Sequence, residues 1–151
     1  MTKLTDKRQA HLGRYLLEIN KSFLQMSVEQ LADAGFDDLQ PHHIHTFAHI
    51  HEEGSTIAEI IEQASVSKQA VSNTLKYLEE KGYIKKKANP EDQRAKKIYF
   101  TKKGENLIKE GMDGIKEIES YYESMIGKRK FSLLMGILED IYLQEKVNKE
   151  S

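Results

Sequence analysis

Residues 82–104 read GYIKKKANPEDQRAKKIYFTKKG. Tyr83-Ile84-Lys85-Lys86 has the look of a strand, and Ala95 to Thr101 alternates Ile98 and Phe100 against Lys97 and Tyr99, as a half-buried returning strand does. Between them, Ala88 to Arg94 carries Asn-Pro and polar residues and reads as a loop. The stretch is therefore expected to be a hairpin with a basic, mobile tip. Upstream, residues 56–81 read TIAEIIEQASVSKQAVSNTLKYLEEK. Thr56 and Glu59 form a capping box that opens a helix through Ile57, Ile60 and Ile61. Ala64-Ser65-Val66 is a short turn, and Ser67 caps a second helix that ends near Lys81, with Gly82 as its stop. The centre of the chain is helix, turn, helix, hairpin.

Working outward, Asp6 to Ala34 predicts a long helix with Leu12, Tyr15, Leu16, Ile19, Phe23 and Met26 in one stripe, stopped at Gly35. Phe36 to Gln40 reads as a linker. Pro41 opens a helix to about Glu53 that buries Ile44, Phe47, Ala48 and His51. Thr101 caps a long helix from Lys102 to about Ile126, striped with Leu107, Ile108, Ile115, Ile118, Tyr122 and Met125. Gly127 breaks it, and a last helix runs from Lys128 to about Val147. The expected class is mainly α with a small β wing.

Composition narrows the function classes. The chain has 151 residues, 38% apolar and 31% charged, a balance suited to one folded domain and too polar for a membrane protein. No apolar run approaches a spanning helix, and Met1 to Ala10 mixes charges without an apolar stretch, so no secretory signal is expected. With no cysteine, disulfides, thiolate metal sites and Cys nucleophiles are excluded, which fits a reducing cytoplasm. The net charge of −1 hides an asymmetry. Ser65 to Lys103 holds 11 Lys and Arg against four Asp and Glu, a net +7, while the remainder holds 12 against 20, a net −8. A basic block in an acidic chain points to a polyanionic partner.

A helix–turn–helix holds its second helix proud of the surface, where it can enter a DNA major groove. Here the apolar residues Val71, Leu75 and Leu78 take one side, and Lys68, Gln69, Ser72, Asn73 and Lys76 the other. Gln and Asn pair with adenine edges, and Lys meets guanine or phosphate. Lys85, Lys86 and Lys87 lead into the hairpin tip, Arg94 sits in it, and Lys96 and Lys97 leave it. An arginine there can reach a narrow minor groove. Asp92, two residues earlier, is expected to orient the guanidinium. An ordinary solvated face and a turn-closing ion pair are the bland alternatives.

On Gly82-Tyr83-Ile84 after a Leu-containing helix, Asp92-Gln93-Arg94 in the wing and Thr101-Lys102-Lys103-Gly104 opening the next helix, the chain resembles the MarR family of winged helix–turn–helix regulators. The likeness is close over Thr46 to Gly104 and looser in the flanking helices. It implies a homodimeric cytoplasmic regulator, most often a repressor, that binds a palindromic operator in double-stranded DNA and is tuned by a small-molecule effector. No enzymatic activity, cofactor or membrane is implied. The implied layout is an N-terminal dimerisation helix (1–38), a winged helix–turn–helix lobe (41–103) and C-terminal dimerisation helices (104–148) in one intertwined domain. Ser67, Lys68, Gln69, Ser72, Asn73 and Lys76 would face the major groove, with Lys86, Lys87, Asp92, Arg94, Lys96 and Lys97 in the wing. The family's ligand pocket would fall on Tyr15, Ile19, His43, Phe47 and Leu107.

Five of the six histidines lie between His42 and His51. His42, His45 and His49 are expected on one helical face, and His45/His49 is a spacing that can hold a metal. No Cys and no later His completes a four-ligand set, so no metal is expected. A metal- or pH-responsive regulator is the alternative the cluster offers. A small metal-dependent enzyme is a further one, against which stand the missing HExxH, nucleophile elbow and Gly-rich phosphate loop. A winged-helix adaptor for protein partners is a third, and the +7 block argues against it.

Overall fold

The computed structural model describes residues 11–150. The first helix is expected from Asp6, so its opening residues lie outside the described part. The elements in chain order are α1 (Leu12–Asp33), α2 (Pro41–Phe47), β1 (Ser55–Thr56), α3 (Ile57–Ala64), α4 (Lys68–Glu80), β2 (Ile84–Ala88), β3 (Lys96–Phe100), α5 (Lys102–Ile126) and α6 (Lys128–Glu150). Mainly helical with one small antiparallel sheet, the class is the one expected. By its contacts the chain groups into two compact units, the first ending at Gly114 and the second beginning at Ile115.

The core of the first unit forms where apolar stripes converge. Ile60 and Ala64 of α3, Val71, Leu75 and Leu78 of α4, Ile84 and Ile98 of the sheet, and Leu107 of α5 are all buried. Phe36 and Leu39, in the segment read as a linker, join them, with Leu39 only 1% exposed. That segment is a structural hub. The Tyr77 hydroxyl donates to the Asp38 carbonyl, and the buried Tyr83 hydroxyl donates to the Asp38 carboxylate.

α2 is shorter than expected, ending at Phe47 instead of near Glu53. Tight turn bonds replace the helix, with His49 N–H donating to Thr46 and Ile50 N–H to Phe47. The turn drives Ile50 into the core, and Ser55 Oγ accepts from the His51 N–H. Ala48 and His51, expected inside, are exposed as a consequence.

The hairpin forms as expected, with Ile84 opposite Phe100 and Ala88 opposite Lys96. A third strand joins it: Ser55 pairs with Ile98 and Thr56 with Lys97, giving the order β1-β3-β2. Two residues are too few to show a period, so the sequence carries no sign of β1.

α5 spans the expected residues, and α6 runs on to Glu150. α6 has no buried residue although it carries Leu134, Ile137, Leu138, Ile141 and Leu143. Leu12, Leu16, Leu17 and Ile19 of α1 are likewise exposed. No helix among the described residues is long and apolar enough to cross a membrane.

Candidate nucleic-acid interface

The helix–turn–helix is built by local chemistry. Thr56 Oγ1 accepts from the Glu59 N–H at 3.2 Å, and Glu59 Oε2 accepts from the Thr56 N–H at 2.7 Å. That backbone bond, ahead of the Thr56 side-chain bond, holds the Glu59 carboxyl below its usual range. α3 ends at Ser65 in the left-handed region (φ 53°), which turns the chain sharply. Ser67 Oγ then accepts from the Ala70 N–H at 3.2 Å and starts α4. Because Val71, Thr74, Leu75 and Leu78 are buried, Lys68, Gln69, Ser72, Asn73 and Lys76 are forced outward, and all five are exposed.

Gly82 (φ 79°) closes α4. The Tyr83 N–H donates to Leu78 at 2.9 Å and the Gly82 N–H to Glu79 at 3.0 Å, a Schellman closure that hands the chain to β2. The wing root is then locked. Thr101 Oγ1 donates to the Gly82 carbonyl and accepts from the Gly104 N–H, while the Lys103 ammonium sits 4.0 Å from the centroid of the Tyr83 ring. Gly104 lies so close to this root that a Cβ there would fall 2.2 Å from the Tyr83 carbonyl oxygen. α4 and the wing are thus held in one frame.

The wing lysines divide by strand parity. Lys86 stands opposite buried Ile98 and shares its face, so it turns toward α4 and pairs with Glu79 at 3.0 Å. Lys87 and Lys97 stand directly opposite each other. Like charges so placed repel, and a polyanion would relieve them. Lys96 is exposed. The tip holds its own shape. The Asn89 N–H donates to Ala95, Asp92 N–H to Asn89, Ala95 N–H to Asp92, and Glu91 N–H to Asn89 Oδ1. Asp92 Oδ1 accepts from the Arg94 backbone N–H at 3.0 Å. This corrects the expected contact: the carboxylate orders the backbone of Arg94 and not its guanidinium, because an Asx-type bond two residues on is the nearer one. The Arg94 side chain projects from an ordered tip, exposed.

The histidines do not share a helical face, since α2 ends before His49. His43 is buried and stacks on Tyr77 with centroids 4.2 Å apart, and its Nδ1 accepts from the Gln40 N–H at 3.0 Å. Burial, then the His42 charge, lowers its pKa from the ordinary 6.5. His45 Nε2 donates to the Ala64 carbonyl at 2.9 Å and ties α2 to the end of α3. His49 meets the His45 ring edge-on, and burial lowers its pKa too. Among the described residues no group of three or more His, Asp or Glu is placed to hold a metal.

Of the five residues assigned to a ligand pocket, His43 lines a cavity of about 440 Å³ between α2 and α4, along with His42, His45, Asn73 and Tyr77. Phe47 and Leu107 are core residues, and Tyr15 and Ile19 are exposed on α1. A second cleft, of about 770 Å³, lies under the wing between Lys85, Lys87, Tyr99, Glu105 and Ile108. Asp38 was missed, since nothing local in a five-residue connection marks it.

Comparison with known proteins agrees with this architecture. Residues 37–95, the helix–turn–helix and most of the wing, match the family model described as MarR family. The HTH-type transcriptional regulator Hpr of Bacillus cytotoxicus is 30% identical over 119 residues, which are 74% of this chain and 64% of that protein. The chain thus spans a little under two thirds of that relative's length. The structure of apo MarR from E. coli shares the fold at a TM-score of 0.74, with 19% identity over 87% of this chain and 96% of that one. A variant of S. aureus MepR solved with a bound oligodeoxyribonucleotide shares it at 0.57, with 21% identity over 89% and 98%. Members of the matched family are regulators of transcription and not enzymes. Family model, relative and shared fold agree: residues 37–95 match the MarR family, and the chain has the winged helix–turn–helix fold of the E. coli MarR structure.

Proposed function

We propose that this protein is a homodimeric, cytoplasmic, sequence-specific DNA-binding regulator that represses from a palindromic operator. The observation that carries the reading is the joint frame of α4 and the wing: five exposed polar side chains on one helix face beside an ordered tip ending in Arg94. Ser67, Lys68, Gln69, Ser72, Asn73 and Lys76 would enter the major groove. Lys87, Lys96 and Lys97 would neutralise phosphates, and Arg94 would enter the flanking minor groove. Lys86 would act from behind by holding the wing to α4, and Asp92 by ordering the tip. The oligonucleotide bound to the MepR variant supports the assignment of ligand class.

The dimer is supported by apolar surface that nothing within either unit covers, on α1 in the first and on α6 in the second. A two-fold pairing would remove it from water. Two copies would then address half-sites one helical turn apart, roughly 34–36 Å. A small-molecule effector completes the proposal. A ligand in the His43 cavity would touch Asn73 and Tyr77 of α4 directly, which supports control of α4 from there.

The test is a titration of duplex DNA at several salt concentrations. The reading expects sequence-dependent binding whose affinity falls steeply with salt, as counterion release requires. Equal, salt-insensitive retention of all duplexes, or none, would overturn it.

A further inference from the structure

On the solvent face of α4, Gln69 Nε2 donates to Asn73 Oδ1 over 3.0 Å. Residues four apart meet on one helical face, and an exposed bond of this kind adds little to stability. Its consequence is orientation. A lone asparagine amide turns freely, so its oxygen and its NH₂ exchange places. With Gln69 one turn upstream donating to it, the orientation with Oδ1 toward the start of the helix and Nδ2 away from it is the favoured one.

The remaining valences are specific. Oδ1 keeps one lone pair, and Nδ2 keeps both N–H groups. An acceptor and a donor held side by side match the adenine edge, which offers the N6 amino group and N7. Guanine presents two acceptors there, cytosine a donor, and thymine an acceptor beside a methyl group. We propose that Asn73 reads one adenine in each half-site and that Gln69 is the positioning residue that sets its amide. The proposal rests on α4 being the helix that enters the groove. Lys68 and Lys76 flank the pair and supply charge without base choice.

Selection of bound sequences from a randomised duplex pool, with the full-length protein, tests it. Salt titrations on the preferred duplex and thermal melts of each variant accompany the selection. In the parent, adenine should exceed each other base about tenfold at one position per half-site. Asn73→Ala should flatten that position alone. Gln69→Ala should weaken the same position and add nothing on top of Asn73→Ala. Gln69→Glu, equal in size but without the donor, should weaken it as well. All variants should keep the parent's melting temperature, and the two alanine variants its salt slope, since neither residue touches phosphate. Effects at different positions, effects that multiply in the double variant, or adenine preference retained by Gln69→Glu would overturn the proposal. A parent that binds all duplexes alike would overturn the pair's role while leaving DNA binding intact. A parent that binds none would overturn the DNA reading itself and the pair with it.

Discussion

Arg94→Ala separates the wing's function from its fold. The Arg94 backbone N–H donates to Asp92 Oδ1, and alanine keeps that bond. The bonds among Asn89, Asp92 and Ala95 that close the tip are backbone bonds and also survive. The side chain is exposed, and no ion pair among the described residues engages it. Folding stability should therefore stay within about 0.5 kcal/mol of the parent. Binding should not. A base-reading arginine is worth about 1–3 kcal/mol. In the proposed dimer two wings would sit well apart on one duplex, so their losses would add to about 2–6 kcal/mol per complex. Fluorescence anisotropy with a labelled operator at 50–200 mM salt, alongside a thermal melt, measures both. Asp92→Ala is the companion variant: it keeps the guanidinium and the backbone bonds of the tip but removes the carboxylate that holds the Arg94 N–H, and a smaller loss is expected. Parent affinity with an unchanged melt for Arg94→Ala would refute the wing's role.

Asp38→Ala leaves the buried Tyr83 hydroxyl without its acceptor and should cost about 1–3 kcal/mol in a urea titration, with Tyr77 still served by the backbone carbonyl. Gly104→Ala places a Cβ 2.2 Å from the Tyr83 carbonyl oxygen and should cost about 1–3 kcal/mol, while Gly111→Ala in the same helix meets open space and should be neutral or stabilising by up to about 1 kcal/mol. Burial lowers the folded-state pKa of His43 below its unfolded ~6.5, so its neutral form is the one the fold favours. Its contribution is complete above that pH and is lost as pH falls through the folded value. Melting temperature should drop on acidification, and His43→Gln, which keeps an acceptor for the Gln40 N–H, should flatten the drop, leaving the share of His49, which has the same sign. A parent melting temperature that ignores pH between 7.5 and 5 would remove this account.

Local chemistry is what the residues announced most clearly. The Thr56/Glu59 box, the Ser67 cap, the Gly82 stop and the Thr101 cap each act within four residues, and each stands where expected. The outward face of α4 was legible because its inward face is a clean apolar stripe. What stayed hidden depends on contacts distant in sequence. α2 stops early because Ile50 must turn inward and Ser55 must pair with Ile98. Asp38 matters only because Tyr77 and Tyr83, about 40 residues later, arrive beside it. Lys86 could have been told from Lys87 by counting parity from Ile84, which marks the inward face of β2.

The most direct measurement is the stoichiometry and footprint of the complex on a selected duplex, by sedimentation and by chemical protection of both strands. Two chains per duplex are expected, with two protected major-groove patches one turn apart, each flanked by a minor-groove patch that Arg94→Ala exposes. One chain per duplex, or protection without two-fold symmetry, would contradict the account.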